Sequence, residues 1–184
     1  MAQRPKNEVP RQVADFSVPE QGGRTVRLSS LTAPGPLVLL VHPGVAHPGS
    51  VALLMEYRDR VLNFQLHGAQ IASISPDESS ALAYVRTARG LPFTLLSDPA
   101  RAALSALGAL GGSGGSDMAV LLLDRARRVR HHERVALGSS DALLTLVKRG
   151  VARGRRQFFP RLSAGLRALR DRFASRRYAT RATR

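Results

Sequence analysis

The residues best suited to chemistry are one serine and two histidines in a short segment. Ser50 follows His42 and His47 within the stretch HPGVAHPGS, which is rich in proline and glycine. A serine becomes a nucleophile only when a base lies within hydrogen-bond reach of its hydroxyl. The segment lacks the G-x-S-x-G pattern that exposes a nucleophilic serine on a strand-to-helix turn. We therefore predict that Ser50 caps a helix and that His47 is a solvent-facing loop residue.

The remaining polar residues do not indicate a metal or cofactor site. No two histidines form an i, i+4 pair on a predicted helix, and neighbours in a strand point to opposite faces; the five are His42, His47, His67, His131 and His132. The stretch GGSGGS (111–116) precedes a strand and lacks the G-K-[ST] ending of a phosphate-binding loop, so it is predicted to be a mobile loop. We expect no metal and no cofactor.

Cysteine is absent, which excludes disulfides, thiolate metal ligands and thiol catalysis within this chain. The first ten residues are polar and show no secretory signal. The apolar run Leu37–Val41 is far too short to span a bilayer. We expect a cytoplasmic protein without a transmembrane segment.

Positive charge is concentrated near the C-terminus. Residues 146–184 contain 13 Lys or Arg and one acid, a net +12, whereas residues 1–145 contain 15 basic and 12 acidic residues, a net +3. An apolar stripe at helical spacing, Leu162, Leu166, Leu169 and Phe173, predicts an amphipathic helix there. The candidate anion-binding residues of this tail are Arg153, Arg155, Arg156, Arg161, Arg167, Arg170, Arg176 and Arg177.

Three interpretations of the basic tail remain open. Its helix could pack against its own domain, lie on an anionic membrane surface, or contact the phosphates of a nucleic acid. The composition of the tail does not separate a lipid partner from a nucleic-acid partner.

Hydrophobic periodicity predicts the element order β-β-β-α-β-α-β-α-β-β-α, an α/β layered arrangement. Strands over 13–18 and 25–31 form a hairpin, and Leu37–Val41 is a central strand covered on both faces. A helix follows from Ser50 to about Gln65. Its predicted inward face consists of Val51, Leu54, Met55, Arg58, Val61 and Leu62.

The second half of the predicted domain alternates in the same way. Strands at 69–75 and 92–97 flank a helix over 76–90 that ends at Gly90. The next helix begins with the caps Ser97 and Asp98 and has Pro99 in its first turn. A buried strand MAVLLLD pairs with RVRHHERV, and a capped helix follows over 139–149.

Several segments, in this order, resemble the alkyl hydroperoxide reductase/thiol-specific antioxidant (redoxin) family, and in particular its bacterioferritin-comigratory type. They are FSVPEQGGRTVRLSSL, LVLLVHPGVAHPGSVALLMEYRDR, ISPDESSALAYVRTARGLPFTLLSDP and MAVLLLD, over roughly residues 13–147. The resemblance implies a peroxiredoxin-like thioredoxin fold, a central mixed sheet flanked by helices, with an extra C-terminal basic helix. The implied domains are a flexible N-terminus (1–12), the fold itself (13–147) and the arginine-rich tail (148–184).

The positions that carry the family's chemistry have changed in this chain. The peroxidatic cysteine stands in a P-x-x-x-T-x-x-C context, where Pro43 keeps the proline, His47 replaces the threonine and Ser50 replaces the cysteine. Met55 stands at the second cysteine of the bacterioferritin-comigratory type, and Met118 lies where the assisting arginine is expected.

These departures determine what the resemblance implies about activity. Peroxide reduction needs a thiolate that becomes a sulfenic acid, and a serine hydroxyl neither ionises at neutral pH nor has that reversible step. Whether the chain is an enzyme is left open, but peroxidase activity is not expected. We expect a binding or scaffold protein, able to form a homodimer, with a tail directed to a polyanion or a membrane. The alternative is an antioxidant oxidoreductase that acts by a non-thiol route or through a partner's thiol.

Overall fold

A five-stranded mixed sheet organises the part of the chain that the computed structural model describes, residues 9–110, 118–134 and 140–153. The strands are β1 (Ser17–Pro19), β2 (Thr25–Arg27), β3 (Leu37–Val41), β4 (Gln70–Ser75), β5 (Thr94–Ser97), β6 (Ala119–Leu123) and β7 (Val129–Arg134). The helices are α1 (Leu28–Thr32), α2 (Pro48–Leu66), α3 (Ser79–Arg89), α4 (Ala102–Ala106) and α5 (Ser140–Arg153). The main sheet has the order β5-β4-β3-β6-β7, and β1 pairs with β2 in a separate hairpin.

The centre of the sheet is the most apolar part of the sequence. Every residue of β3 and of β6 is buried, as expected for strands with both faces covered. β3 runs parallel to β4 and antiparallel to β6, and β4 runs parallel to β5. The ends of β3, β4 and β5 that lead into helices therefore share one edge, where ligand sites of α/β sheets commonly lie.

Two apolar layers cover the two faces of the sheet. Alternate residues of β3, Val38 and Leu40, pack with α2, α3 and α5, whereas Leu37, Leu39 and Val41 pack with the β1–β2 hairpin and α4. The layer under α2 also contains Tyr57 and Phe64 of that helix, whose rings stack with centroids 5.7 Å apart. This layer holds α2 against the central strand and fixes where its first turn lies.

The inward face of α2 differs from the predicted one. Its buried side chains are Ser50, Leu53, Leu54, Tyr57 and Phe64, at the i, i+3, i+4 spacing of a helix. Leu62, which was assigned to the inward face, is 70% exposed. The sequence pattern was wrong there because successive side chains of a helix are rotated by about 100° around its axis. Val61 lies at the edge of the inward face, so Leu62, the next residue, points away from it.

The second predicted strand is shorter than expected and is followed by a helix. β2 ends at Arg27, and Leu28–Thr32 forms α1, with Leu28 and Thr32 buried at i, i+4. The carboxylate of Asp15 accepts the backbone N–H of Ser29 at 2.9 Å, which satisfies one of the open donors of the first turn. The alternation in TVRLSSL fits a strand equally well, and it is this contact with a distant residue that favours the helix.

The helix predicted to begin near Pro99 starts later and is short. α4 spans Ala102–Ala106, after Arg101 in a left-handed conformation with φ 57°. The Asp98 carbonyl accepts the backbone N–H of Arg101, and its carboxylate accepts that of Leu104, at 2.9 and 2.8 Å. The carbonyl of Asp98 thus closes a turn that contains Pro99, and its carboxylate bonds to the first turn of α4. Pro99 therefore precedes the helix.

The last described helix, α5, crosses the predicted boundary between domain and tail. It runs to Arg153, and its residues Leu143, Leu144 and Val147 belong to the core under α2. Residues 1–8 of the N-terminal segment that was predicted to be flexible, the 111–116 loop and the tail beyond Arg153 lie outside the described residues. Within the described ranges no helix has the length and apolar character needed to cross a membrane.

Candidate functional site

The first turn of α2 lies beside the edge of the sheet where the parallel strands end. His47 precedes the helix with extended backbone angles, and Pro48 is its first residue, a position that suits the fixed φ of proline. Ser50 is therefore the third helical residue, and its N–H bonds the His47 carbonyl at 3.0 Å. The prediction that Ser50 caps α2 was wrong, because Pro48 begins the helix two residues earlier.

Ser50 is completely buried, and its hydroxyl has no hydrogen-bond partner among the described residues. Ser73 of β4, on the sheet face under α2, has the same properties. Buried hydroxyls are rarely left without a partner, because the lost hydration costs on the order of 1–3 kcal/mol. These hydroxyls are groups that the described part of the protein does not itself use.

His42 extends β3 by one residue and is also fully buried. Its backbone N–H donates to the Ile74 carbonyl at 3.2 Å, and neither ring nitrogen makes a hydrogen bond of good geometry with a described residue, although the ring lies near the Gly44 backbone. Burial lowers the pKa of His42 from 6.5 to about 4, while the negative charge of Asp77 and the backbone of Gly44 act in the opposite direction. The ring is therefore neutral at pH 7. His42, Ser50 and Ser73 together are called the buried polar set below.

Asp77 fixes the loop that joins β3 to α2. Its carboxylate accepts the Val45 N–H at 2.9 Å and the Ser75 hydroxyl at 2.7 Å. Its own carbonyl accepts the Ser97 hydroxyl at 2.7 Å. Gly44 has φ 138°, and a Cβ there would lie 3.1 Å from the Asp77 carboxylate. The loop thus passes close to Asp77 in a conformation that favours glycine. The sequence pattern placed Asp77 only at the start of the helix predicted over 76–90 and gave no sign of this role.

The other residues singled out from the sequence lie around this turn. His47 is exposed, as predicted, whereas Pro43 and Met55 are half-buried, Met55 in the second turn of α2. Gly49 brings two of them together, since a Cβ there would lie 3.2 Å from both the His47 ring and the Met118 sulfur. A methionine sulfur thus lies against the first turn of α2.

The histidines do not form a metal site in the part of the chain that the structure describes. No three His, Asp or Glu side chains there lie close enough together to hold an ion. His67 contacts its own helix through the Asn63 carbonyl at 2.8 Å, and His131 lies 3.4 Å from the Glu133 carboxylate. Of the arginines proposed to bind anions, only Arg153, the last residue of α5, is within the described residues.

Residues 9–132 match the model of the AhpC/TSA family, which covers most of the described fold. The chain belongs to the AhpC/TSA family. The predicted family and its thioredoxin-like peroxiredoxin fold, a mixed sheet flanked by helices, are thereby confirmed. Ser50, in the first turn of the helix that follows the central strand, occupies the place where the sequence comparison predicted the peroxidatic cysteine.

Relatives and solved structures agree with this assignment. A Mycobacterium tuberculosis protein named as a peroxiredoxin is 36% identical over 90 residues, 49% of this chain and 57% of that protein. The chloroplastic peroxiredoxin Q of Suaeda salsa is 34% identical over 83 residues, 45% of this chain and 38% of that protein. The match thus spans about half the length of these relatives, or less.

The solved structure of peroxidoxin BcpB from Mycobacterium tuberculosis superposes with a TM-score of 0.72 at 26% identity, covering 77% of this chain and 96% of that one. A cysteine-to-serine mutant of Xanthomonas campestris peroxiredoxin Q gives a TM-score of 0.70 at 24% identity, covering 78% and 96%. At 24% identity, the similarity to the Xanthomonas campestris structure shows a shared fold and nothing further.

Proposed function

We propose that this chain is a peroxiredoxin-fold binding or scaffold protein that does not reduce peroxides. The observation that carries the proposal is the buried Ser50 in the first turn of α2, in a chain that has no cysteine. A hydroxyl at that place cannot supply the thiolate on which peroxide reduction depends. The buried polar set is fully enclosed by the domain, so the proposal rests on the missing thiol and not on these groups.

The alternative is an antioxidant oxidoreductase that works without a thiol of its own or borrows one from a partner. Only family membership supports it, and a shared fold does not by itself establish a shared activity. Within the described residues, His42 has a neutral ring, and the negative charge of Asp77 acts on it. A neutral imidazole and unionised hydroxyls offer hydrogen bonds but no electron donor.

We expect the unmodified chain to consume no hydroperoxide above the buffer rate with dithiothreitol or a thioredoxin system as reductant. The measurement is peroxide loss over time, with a cysteine-containing peroxiredoxin Q as positive control. Sustained turnover by the purified chain would overturn the proposal. Turnover that requires an added thiol protein, and is absent with dithiothreitol, would support the alternative.

The variant Ser50→Cys tests whether the geometry around the first turn survives. A thiol there gains from the helix N-terminus, which lowers its pKa, and one unit of lowering raises the thiolate fraction roughly tenfold. We expect Ser50→Cys to form sulfenic acid with about one equivalent of peroxide, detected by mass spectrometry after dimedone labelling. Ser73→Cys is the matched control, since Ser73 is equally buried but lies in a strand. Equal labelling of the two variants would show that the turn has lost its activating geometry.

The basic tail extends the proposal to a polyanion or an anionic membrane, with 13 basic residues against one acid over 146–184. Deletion of residues 154–184 leaves α5 intact and is expected to weaken binding to phosphatidylserine vesicles or to oligonucleotides, and to flatten its salt dependence. Unchanged binding by the shortened chain would exclude the tail as the binding element. Homodimer formation and a cytoplasmic location stay predictions from the sequence.

A further inference from the structure

The turn between β6 and β7 brings arginines from distant parts of the chain together. The N-terminal segment runs beside this turn, because the Val129 N–H donates to the Arg11 carbonyl at 3.0 Å and Gln12 pairs with Arg128. The Gln12 side chain also donates to the Ala126 carbonyl at 2.8 Å. Arg11 and Arg128 are both exposed, so their guanidinium groups face solvent on neighbouring segments.

A third segment adds a further arginine to the same surface. The Leu28 N–H donates to the Phe16 carbonyl at 3.0 Å and the Val13 N–H donates to the Arg127 carbonyl at 2.9 Å. The segment around Asp15 therefore lies between Arg27, at the end of β2, and Arg127 of the turn, and both arginines stabilise the negative charge of Asp15. Burial would raise the pKa of Asp15, but hydrogen bonds from Ser29 and these two arginines hold it below its ordinary value. Arg11, Arg27, Arg127 and Arg128 form what is called the basic surface below, and Asp15 is the acid in contact with it.

Asp124 makes the turn rigid without neutralising it. Its carboxylate accepts the backbone N–H groups of Ala126 and Arg128, both at 2.9 Å, and its carbonyl accepts that of Arg127 at 2.8 Å. The charge of Asp124 is balanced by Arg130, whose guanidinium lies 2.7 Å away. The turn therefore holds its arginines in fixed positions, and the charge of its own aspartate is already offset.

The basic surface carries more positive than negative charge and presents no large exposed apolar side chain among the described residues, and Asp15 offsets part of the charge of Arg27 and Arg127. Among the described residues no ion pair involves Arg11, Arg27 or Arg128, whereas Arg58 and Arg60 on α2 are paired with Asp59 and Asp141. Guanidinium groups suit phosphate because they bind it in a bidentate manner. A membrane-surface site would also need apolar side chains to insert, and the large exposed ones described are Leu62, Leu66 and Tyr84, on α2 and α3.

We propose that the basic surface binds the phosphate backbone of a nucleic acid, without reading its base sequence. The inference deepens the proposed binding function, but it rests on the folded domain and not on the tail. Four arginines against one aspartate supply a sequence-independent electrostatic contact, whose strength falls steeply with salt.

The test uses the full chain and a short fluorescein-labelled DNA duplex, with Kd measured by anisotropy between roughly 50 and 200 mM salt. The variant Arg27→Gln/Arg128→Gln removes two exposed charges from the basic surface. The control, Arg86→Gln/Arg89→Gln, removes two positive charges from the last turn of α3, which packs on β5 at the far side of the sheet. Arg89 is exposed, whereas Arg86 is half-buried and donates to the Phe93 carbonyl. Circular dichroism and Tm verify that both variants fold.

Each lost phosphate contact lowers the slope of log K against log salt by about 0.9 for duplex DNA. We expect the slope of log K against log salt to become shallower by roughly 2 in the basic-surface variant. In the control the slope should change by well under half of that amount. Equal losses would overturn the proposal, because they would reflect net charge or the tail alone. Unchanged DNA binding with weakened binding to phosphatidylserine vesicles would overturn it in favour of a membrane. Peroxide turnover would contradict the non-peroxidase function and leave this comparison unaffected.

Discussion

Acidification from pH 7 to pH 4 is expected to destabilise the folded chain by about 3 kcal/mol through His42 alone. The pKa of this buried ring is about 4 in the folded chain, against 6.5 when it is hydrated. The unfolded chain therefore takes up a proton first as the pH falls. Stability is unaffected by His42 above about pH 6.5 and is lost progressively down to about pH 4, below which both states are protonated.

Urea unfolding at several pH values measures this contribution. The carboxylates also titrate below about pH 5, so the informative quantity is the difference between the unmodified chain and His42→Gln. From pH 7 to pH 4 we expect the free energy of unfolding of the unmodified chain to fall by about 3 kcal/mol more than that of His42→Gln. His47→Gln, which changes an exposed histidine of the same loop, should track the unmodified chain. Parallel curves for the unmodified chain and His42→Gln would contradict the buried neutral state.

The neutral state of His42 bears on function as well as on stability. An imidazolium at the end of β3, on the edge of the sheet where α2 begins, would be a cation of the kind that activates thiolates in related chemistry. The fold holds this ring uncharged at pH 7, since burial outweighs the charge of Asp77. His42 thus contributes no positive charge at pH 7, and the chain has no thiol that such a charge could activate.

The features predicted correctly from the sequence are those encoded within a few residues. The run LVLLV is apolar at every position, which specifies a strand buried on both faces, and it became β3. Gly90 ends α3 in a left-handed conformation with φ 58°, as a glycine after a helix predicts. The pairing of β6 with β7 followed from adjacent strands joined by a tight turn.

The features that were missed depend on contacts between distant residues. The Asp77 carboxylate accepts the backbone N–H of Val45, which lies 32 positions earlier in the sequence. No local sequence signal marks an aspartate that will bond to the loop after another strand. The start of α2 offered two competing signals, Pro48 and Ser50, and proline prevailed because its backbone angle already fits a first helical position. The burial of His42 could not be predicted from its local sequence, because it depends on how other parts of the chain pack at the end of β3.

Leu54→Ala is expected to destabilise the chain by about 2–5 kcal/mol, whereas Leu62→Ala should change its stability by no more than about 0.5 kcal/mol. The two leucines belong to the same helix and undergo the same substitution. Leu54 is completely buried in the layer between α2 and the sheet, so its truncation leaves a cavity there. Leu62 is 70% exposed, and its truncation removes little contact area.

Chemical denaturation with a shared m-value gives the two free energies of unfolding. The comparison discriminates between two orientations of α2, because the periodic pattern alone places both leucines on the inward face. Similar losses for both variants would mean that α2 is rotated about its axis relative to this structure. Such a rotation would also carry Ser50 out of the layer that buries it, since Ser50 and Leu54 lie one turn apart on the same stripe. The stability of the two leucine variants therefore also tests the burial of Ser50 in the first turn of α2.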